Sequence, residues 1–305
     1  MGKVVILGVF VADTAYRAER QPKIGETVLG KSFVLGPGGK GSNQAVAAAK
    51  AGAETHMIAR LGRDAFAEMA LATWKAAGVI PAISQHADSY TGAAYIFIED
   101  ATGNNAIIIS PGAAAGFTTE DIDGNADLIR SAKVFVTQLE QPIPVAFHAL
   151  RMARSNRVIT ILNPAPAAQL PPDMLHMVDY VTPNESESEA LTGQVVTTLE
   201  EAEAAARILR SKGAGAAIIT LGDKGALYHD RKRTVHVPPF HAGPVVETTG
   251  AGDAFNGGFA AALAEGMDPV DAVRFGSATA GISVTRAGTA PSMPSRAEID
   301  ALLAK

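Results

Sequence analysis

Short β-branched and aliphatic runs recur along the chain, spaced so that a helix fits between most neighbouring pairs. Val4–Val9, His56–Ala59, Val134–Thr137, Val158–Leu162, Tyr180–Thr182 and Ala217–Leu221 are apolar at successive positions, as suits strands buried on both faces. Between them, Asn43–Ala51, Ala65–Ala77, Val145–Ala153 and Glu200–Ser211 are compatible with helices. Gly52, Gly78 and Gly213 stand where a left-handed residue ends a helix at least steric cost, and Asp64 stands where an N-cap belongs. Strands alternating with helices predict an α/β three-layer sandwich around a mostly parallel central sheet, built as one domain over residues 1–305.

Two stretches break this rhythm. Residues 14–36 and 90–110 lack a helical period, and the second alternates around Tyr95, Phe97 and Ile107–Ile109, with a turn at Thr102-Gly103-Asn104-Asn105. Both predict a small β appendage over the mouth of the main sheet. Its apolar face needs a cover, either a ligand or another subunit.

Composition narrows the function classes. Hydrophobic residues make up 47% of the 305 and charged residues 19%, which fits a filled globular core. The net charge is −5 and no extended Lys/Arg cluster occurs, so nucleic acid and anionic membranes are not expected partners. With no cysteine there is no disulfide, thiol catalysis or Cys-built zinc site, and the seven histidines show no metal-ligand spacing. The run Val4–Ala12 after Lys3 has the outline of a signal peptide, but Gly8 and the lack of secretion-type context favour a buried first strand. No apolar stretch approaches the ~20 residues of a membrane helix. A cytoplasmic protein is expected.

Four segments carry candidate chemistry. Gly36-Pro37-Gly38-Gly39-Lys40-Gly41-Ser42-Asn43-Gln44-Ala45 contains a dinucleotide-type glycine spacing, displaced from the first strand where that reading requires it. It is either a plain glycine-rich helix start or a place where a polar ligand approaches the backbone, with the Asn43 carboxamide in the first helical turn. Glu247-Thr248-Thr249-Gly250-Ala251-Gly252-Asp253 leads into a second helix. Glycines at a helix start present free N–H groups to an anion. A carboxylate there is either an ordinary cap or a base that takes a proton from an incoming hydroxyl. Thr182-Pro183-Asn184-Glu185-Ser186-Glu187 follows a strand, offering oxygen donors for hydrated Mg²⁺ or simply opening an acidic helix. Thr220-Leu221-Gly222-Asp223-Lys224-Gly225 is a strand-to-glycine turn that can admit a nucleotide.

Taken together and in order, these segments resemble the ribokinase-like (phosphofructokinase-B-type) carbohydrate kinase family over essentially the whole chain. Gln138-Leu139-Glu140 and Asn163-Pro164-Ala165-Pro166-Ala167 add to the likeness. The resemblance implies an ATP-dependent sugar kinase acting on the terminal (5-) hydroxyl of D-ribose or a close pentose. It implies that Asp13, Gly39, Asn43 and Glu140, with Asp253, hold the sugar, that Asp253 is the base, and that the amides of Gly250, Ala251 and Gly252 form an anion hole. Asn184 and Glu187 would organise Mg²⁺ through water, and Asn184, Thr220, Gly222, Gly225, Gly252 and Ser277 would line the nucleotide site. K⁺ would lie among Glu247, Thr249, Ser283, Arg286, Gly288 and Ser292, several through carbonyls. The β appendage would be the lid, and in many relatives the dimer contact, so a homodimer is expected.

Two positions depart from the family pattern. Val11 stands where an Asn precedes the first-strand Asp, similar to 2-deoxyribokinases, and Glu247 replaces an Asp. The first opens a deoxy sugar as an alternative substrate and the second leaves K⁺ activation open. Another sugar or nucleoside kinase is a further alternative. A non-catalytic sugar binder, which needs neither Asp253 nor its loop, and a dinucleotide oxidoreductase are rivals from other classes.

Overall fold

The computed structural model describes residues 2–305. In the first strand, β1 (Lys3–Leu7), Val4 and Ile6 enter one apolar cluster and Val5 and Leu7 the other. A strand buried on both sides demands helices on both sides. It belongs to a nine-stranded sheet ordered β13 (Thr234–Val237), β12 (Ala226–His229), β11 (Ala216–Thr220), β10 (Tyr180–Val181), β9 (Ile159–Leu162), β8 (Val134–Thr137), β1, β4 (Glu54–Leu61) and β5 (Ile80–Gln85). Pairing is parallel from β5 to β11, and only the β11–β12 and β12–β13 contacts are antiparallel.

Helices α1 (Lys40–Lys50), α2 (Ala65–Ala77), α8 (Ala251–Glu265), α9 (Pro269–Ser283) and α10 (Arg296–Leu303) fill one face. Helices α3 (Thr119–Asp123), α4 (Ala126–Arg130), α5 (Ile143–Ser155), α6 (Glu185–Thr192) and α7 (Leu199–Ser211) cover the other. The expected sandwich is present. Helix α2 begins where expected, the Asp64 carboxylate accepting the Ala67 N–H at 2.8 Å, and ends at Gly78 with φ 79°.

Helix α1 starts earlier than its apolar pattern predicts, taking in Gly41. A Cβ at Gly41 would lie 2.7 Å from the Gly8 Cα. That glycine serves close packing of the helix on the end of β1 rather than a loop.

The irregular stretches form a second, four-stranded sheet ordered β3 (Ser32–Gly38), β2 (Val11–Ala18), β6 (Thr91–Glu99) and β7 (Asn105–Gly112). Strand β2 begins ahead of residue 14, so Val11 and Asp13 are part of this sheet, on the same face by the two-residue period. Among the described residues, no helix is long and apolar enough to cross a membrane.

Candidate active site

Helices α1 and α8 approach closely enough that a Cβ on Gly257 would sit 2.4 Å from the Ala47 Cβ. This contact brings the first turn of α1 against Asp253. The carboxylate is 7% exposed; its Oδ2 accepts from Asn43 Nδ2 and its Oδ1 from Gln44 Nε2, both at 3.0 Å. Burial pushes its pKa up, while the Lys40 ammonium and the two carboxamides pull it down. The net direction is upward, toward a stronger base. Asn43 Oδ1 is buried without a hydrogen-bond partner, an acceptor beside that base.

Asp13 lies over the glycine segment, where a Cβ at Gly38 would meet an Asp13 carboxylate oxygen at 2.2 Å and displace the carboxylate from this position. Gly39, with φ 87°, turns the chain directly into α1. Glu140 Oε2 accepts the backbone N–H of Lys40 at 2.8 Å. Burial, with help from the Asp253 charge, raises Asp13 to about 6. Burial also raises Glu140 to about 7, against the pull of Lys40.

The Lys40 side chain is drawn down by burial but held up more strongly by Asp253, Glu140 and Glu187. It stays charged. Lys40 received no role from the sequence, although it is the single basic residue of the 36–45 segment. Gln44, in the same segment, likewise has no local signal that marks its contact with Asp253.

The start of α8 is shaped by Gly250 at φ 82°. The N–H groups of Gly252 and Asp253 precede the first recorded intrahelical bond, Ala254 N–H to the Gly250 carbonyl at 2.9 Å. A Cβ at Gly252 would meet nothing within 4 Å, so this backbone borders open space. Ala251, expected with Gly250 and Gly252 as an anion donor, instead gives its N–H to the Thr248 carbonyl at 3.1 Å. In this loop conformation the turn closes on itself at that residue.

Asn184 caps α6. Its Oδ1 accepts the Glu187 N–H and Glu187 Oε2 accepts the Asn184 N–H, at 2.9 and 3.0 Å. The bland reading of an acidic helix start is therefore met, yet the Asn184 amide nitrogen and one Glu187 oxygen lie outside this box. Burial raises the Glu187 pKa. Thr220, at the end of β11, donates its N–H to the Pro183 carbonyl at 3.0 Å, and Gly222, at φ 55°, borders the Glu185 carboxylate. With Gly225 at φ 89° they form one shelf beside Asn184. Ser277 follows Gly276, where a Cβ would lie 2.8 Å from the Phe255 carbonyl, so it stands beside the first turns of α8. Among the described residues, no group of three or more His, Cys, Asp or Glu side chains could hold a metal directly.

Behind the glycine loop, Glu247 Oε2 accepts the Gly288 N–H at 2.8 Å, and the Val246 and Glu247 N–H groups donate to the Val284 carbonyl. The segments carrying Glu247, Thr249, Ser283, Gly288 and Ser292 thus run side by side. Arg286 turns its guanidinium to Glu298, leaving only its carbonyl for such a site. A separate cleft of about 510 Å³, lined by Arg154, Asp179, Tyr180, Tyr228 and Asp230, opens at the N-terminal ends of β9, β10 and β11. Parallel sheets bind ligands at the opposite ends, and here Arg154 already pairs with Asp179.

The profile of the pfkB family carbohydrate kinases matches residues 1–296. A deoxyribokinase from Salmonella typhi is 37% identical over 294 residues, covering 96% of this chain and 95% of its own. A ribokinase from Bacillus subtilis is 36% identical over 306 residues, covering 99% of this chain and 100% of its own. The structure of Arabidopsis thaliana ribokinase complexed with ribose and ATP matches at a TM-score of 0.95 and 31% identity, over 99% of this chain and 98% of that one. Profile, relatives and fold agree along nearly the whole length, and the chain belongs to the pfkB family of carbohydrate kinases.

Proposed function

We propose that the enzyme transfers the γ-phosphoryl group of ATP to the terminal hydroxyl of a pentose, D-ribose or its 2-deoxy relative. The observation that carries this reading is the buried Asp253 carboxylate in the first turn of a helix whose start, at Gly252, borders open space. Asp13, Gly39, Asn43 and Glu140 hold the sugar hydroxyls, and the orphan Asn43 Oδ1 takes one of them as acceptor. Asp253 accepts the proton of the attacking hydroxyl as the bond to phosphorus forms. Lys40 and the amides of Gly250 and Gly252 offset charge on the transferring group, joined by Ala251 once its turn opens. The adenine nucleotide lies along Asn184, Thr220, Gly222, Gly225 and Ser277.

The donor set fits a hydrated Mg²⁺ held mainly by phosphates, since no carboxylate cage exists among the described residues, the free Glu187 oxygen can accept from its waters, and the Asn184 amide nitrogen can donate to a phosphate oxygen beside it. Such an ion supplies charge neutralisation. Glu247 with the 283–292 loop forms the candidate K⁺ site behind the anion loop.

The 2-deoxy alternative rests on Val11, which is 4% exposed and belongs to the same apolar cluster as Val9, Ala94 and Leu139. An apolar wall beside Asp13 offers no partner to a 2-hydroxyl, and a pocket without that hydrogen bond discriminates weakly between the two sugars. One assay separates the readings: kcat/KM for pentoses, deoxypentoses, hexoses and nucleosides by ATP consumption. Pentose turnover is expected, with ribose losing its advantage over 2-deoxyribose. Turnover of nucleosides or hexoses alone would replace the pentose assignment.

A further inference from the structure

A chain of buried carboxamides that the mechanism above does not use runs up to Asp253. Gln138 follows β8, Asn163 follows β9, and Gln44 opens the second turn of α1; they are 0%, 7% and 0% exposed. Gln138 Nε2 donates to Gln44 Oε1 at 2.6 Å. Gln44 Nε2 donates to Asn163 Oδ1 and to Asp253 Oδ1, both at 3.0 Å. Asn163 Nδ2 then donates to the Thr182 carbonyl at 3.2 Å.

The polarity of this chain is fixed at both ends. A backbone carbonyl only accepts, so Asn163 turns its nitrogen to Thr182 and its oxygen to Gln44. A carboxylate only accepts, so Gln44 turns its nitrogen to Asp253 and its oxygen to Gln138, which meets it with a nitrogen. Flipping Gln44 would set its oxygen against both the carboxylate and the Asn163 oxygen. Loss of the Gln138 donor would remove one of the three contacts that oppose that flip and leave the Gln44 oxygen unpaired.

We propose that Gln44, locked in one orientation by Gln138, is a positioning residue for Asp253: it fixes which carboxylate oxygen faces the acceptor hydroxyl and holds the carboxyl group in its ionised form. This rests on Asp253 being the base. The need for such a donor is electrostatic. Asp13 from β2, Glu140 after β8 and Glu187 from α6 all face Asp253 and oppose its charge, while Lys40 from α1 is the one cation beside it. Asn43 also donates to Asp253, but its other atom is an acceptor open to the sugar, so Gln44 is the grip that substrate binding leaves undisturbed.

The test is a mutant cycle on the full chain. Gln44→Met and Gln138→Met should each lower kcat by about 10- to 100-fold, the range for one charge-assisted hydrogen bond, with KM for ATP and sugar within about two-fold. The acid limb of the kcat profile should move to higher pH, because a carboxylate that loses a donor protonates more readily. In an Asp253→Asn background the same changes should cost no further turnover. Wild-type kcat and an unmoved acid limb in the folded variants would overturn the proposal. So would an equal loss in the Asp253→Asn background, which marks a merely structural role. If Gln44→Met does not fold, the Gln138→Met result decides. If Asp253→Asn alone keeps near-wild-type turnover, the base assignment itself fails, an outcome separate from the other two.

Discussion

Asp253 combines two demands that usually conflict. Burial raises its basicity, while Lys40, Asn43 and Gln44 favour its charged form and aim it. Asp253→Asn is therefore expected to retain nucleotide binding while lowering turnover by about 10²–10⁴, measured by titration of ATP and by steady-state kcat. Its neighbours carry a stability consequence. Glu140 is raised from 4.5 to about 7, so the folded form binds the proton more tightly than the unfolded chain. That contribution is complete below the unfolded value and is lost as pH rises through about 7. The ligand-free protein should lose stability from pH 5 to 8 on this account. Glu140→Gln, which keeps an acceptor for the Lys40 N–H, should gain on the order of 1–3 kcal/mol at pH 8 while weakening sugar binding. Urea unfolding at both pH values checks this, and an unchanged pH slope in the mutant would count against it. Asp253 and Asn43 were legible because each lies in a glycine-rich motif. Gln138 and Asn163 were not assigned roles, because only the fold brings their strand ends to Gln44.

At the scale of elements, the helix starts organise the site. Asp64 caps α2 with one oxygen and accepts the Thr91 N–H at 2.7 Å with the other, tying the cap to the start of strand β6 in the small sheet. Asp64→Ala should cost about 1–2 kcal/mol in denaturant unfolding and speed amide exchange at the base of β6. Protection in β6 equal to wild type would separate the cap from the small sheet. This cap, both boundaries of α2, and strand β8 were readable from local pattern. Strands β12 and β13 were not, being four residues each around the charged turn Arg231-Lys232-Arg233. Helix α9 was hidden because Gly276, Ser277, Thr279 and Gly281 replace a clear apolar period with small residues that let it pack tightly on α8 and Phe240. The partnership of Glu247 with Gly288 is a tertiary contact that no local spacing announces.

At the scale of the whole molecule, two sheets of different kind divide the work. The nine-stranded sheet sets the glycine loops at one end, and the four-stranded sheet carries Asp13 over them. The small sheet exposes apolar side chains on both faces: Val34, Ile107 and Ile109 on one, Phe33, Leu35 and Ile108 on the other. A lid closing over a sugar covers one face, and a second copy of the chain is the partner proposed for the remainder. Phe33→Glu with Ile108→Glu, on the face away from Asp13, should shift the sedimentation profile toward monomer, whereas an unchanged mass would remove this sheet from the interface. The irregular segments predicted this sheet, but the start of β2 at Val11 came only from its pairing with Gly38. The central claim is that sugar and nucleotide meet at the start of α8. A crystal structure with a pentose and an unreactive ATP analogue tests it most directly. The account predicts the terminal hydroxyl about 2.6–3.2 Å from the Asp253 carboxylate, with the Gly252 N–H turned to the γ-phosphate. A hydroxyl beyond reach of that carboxylate, or amides turned away from the phosphate, would contradict it.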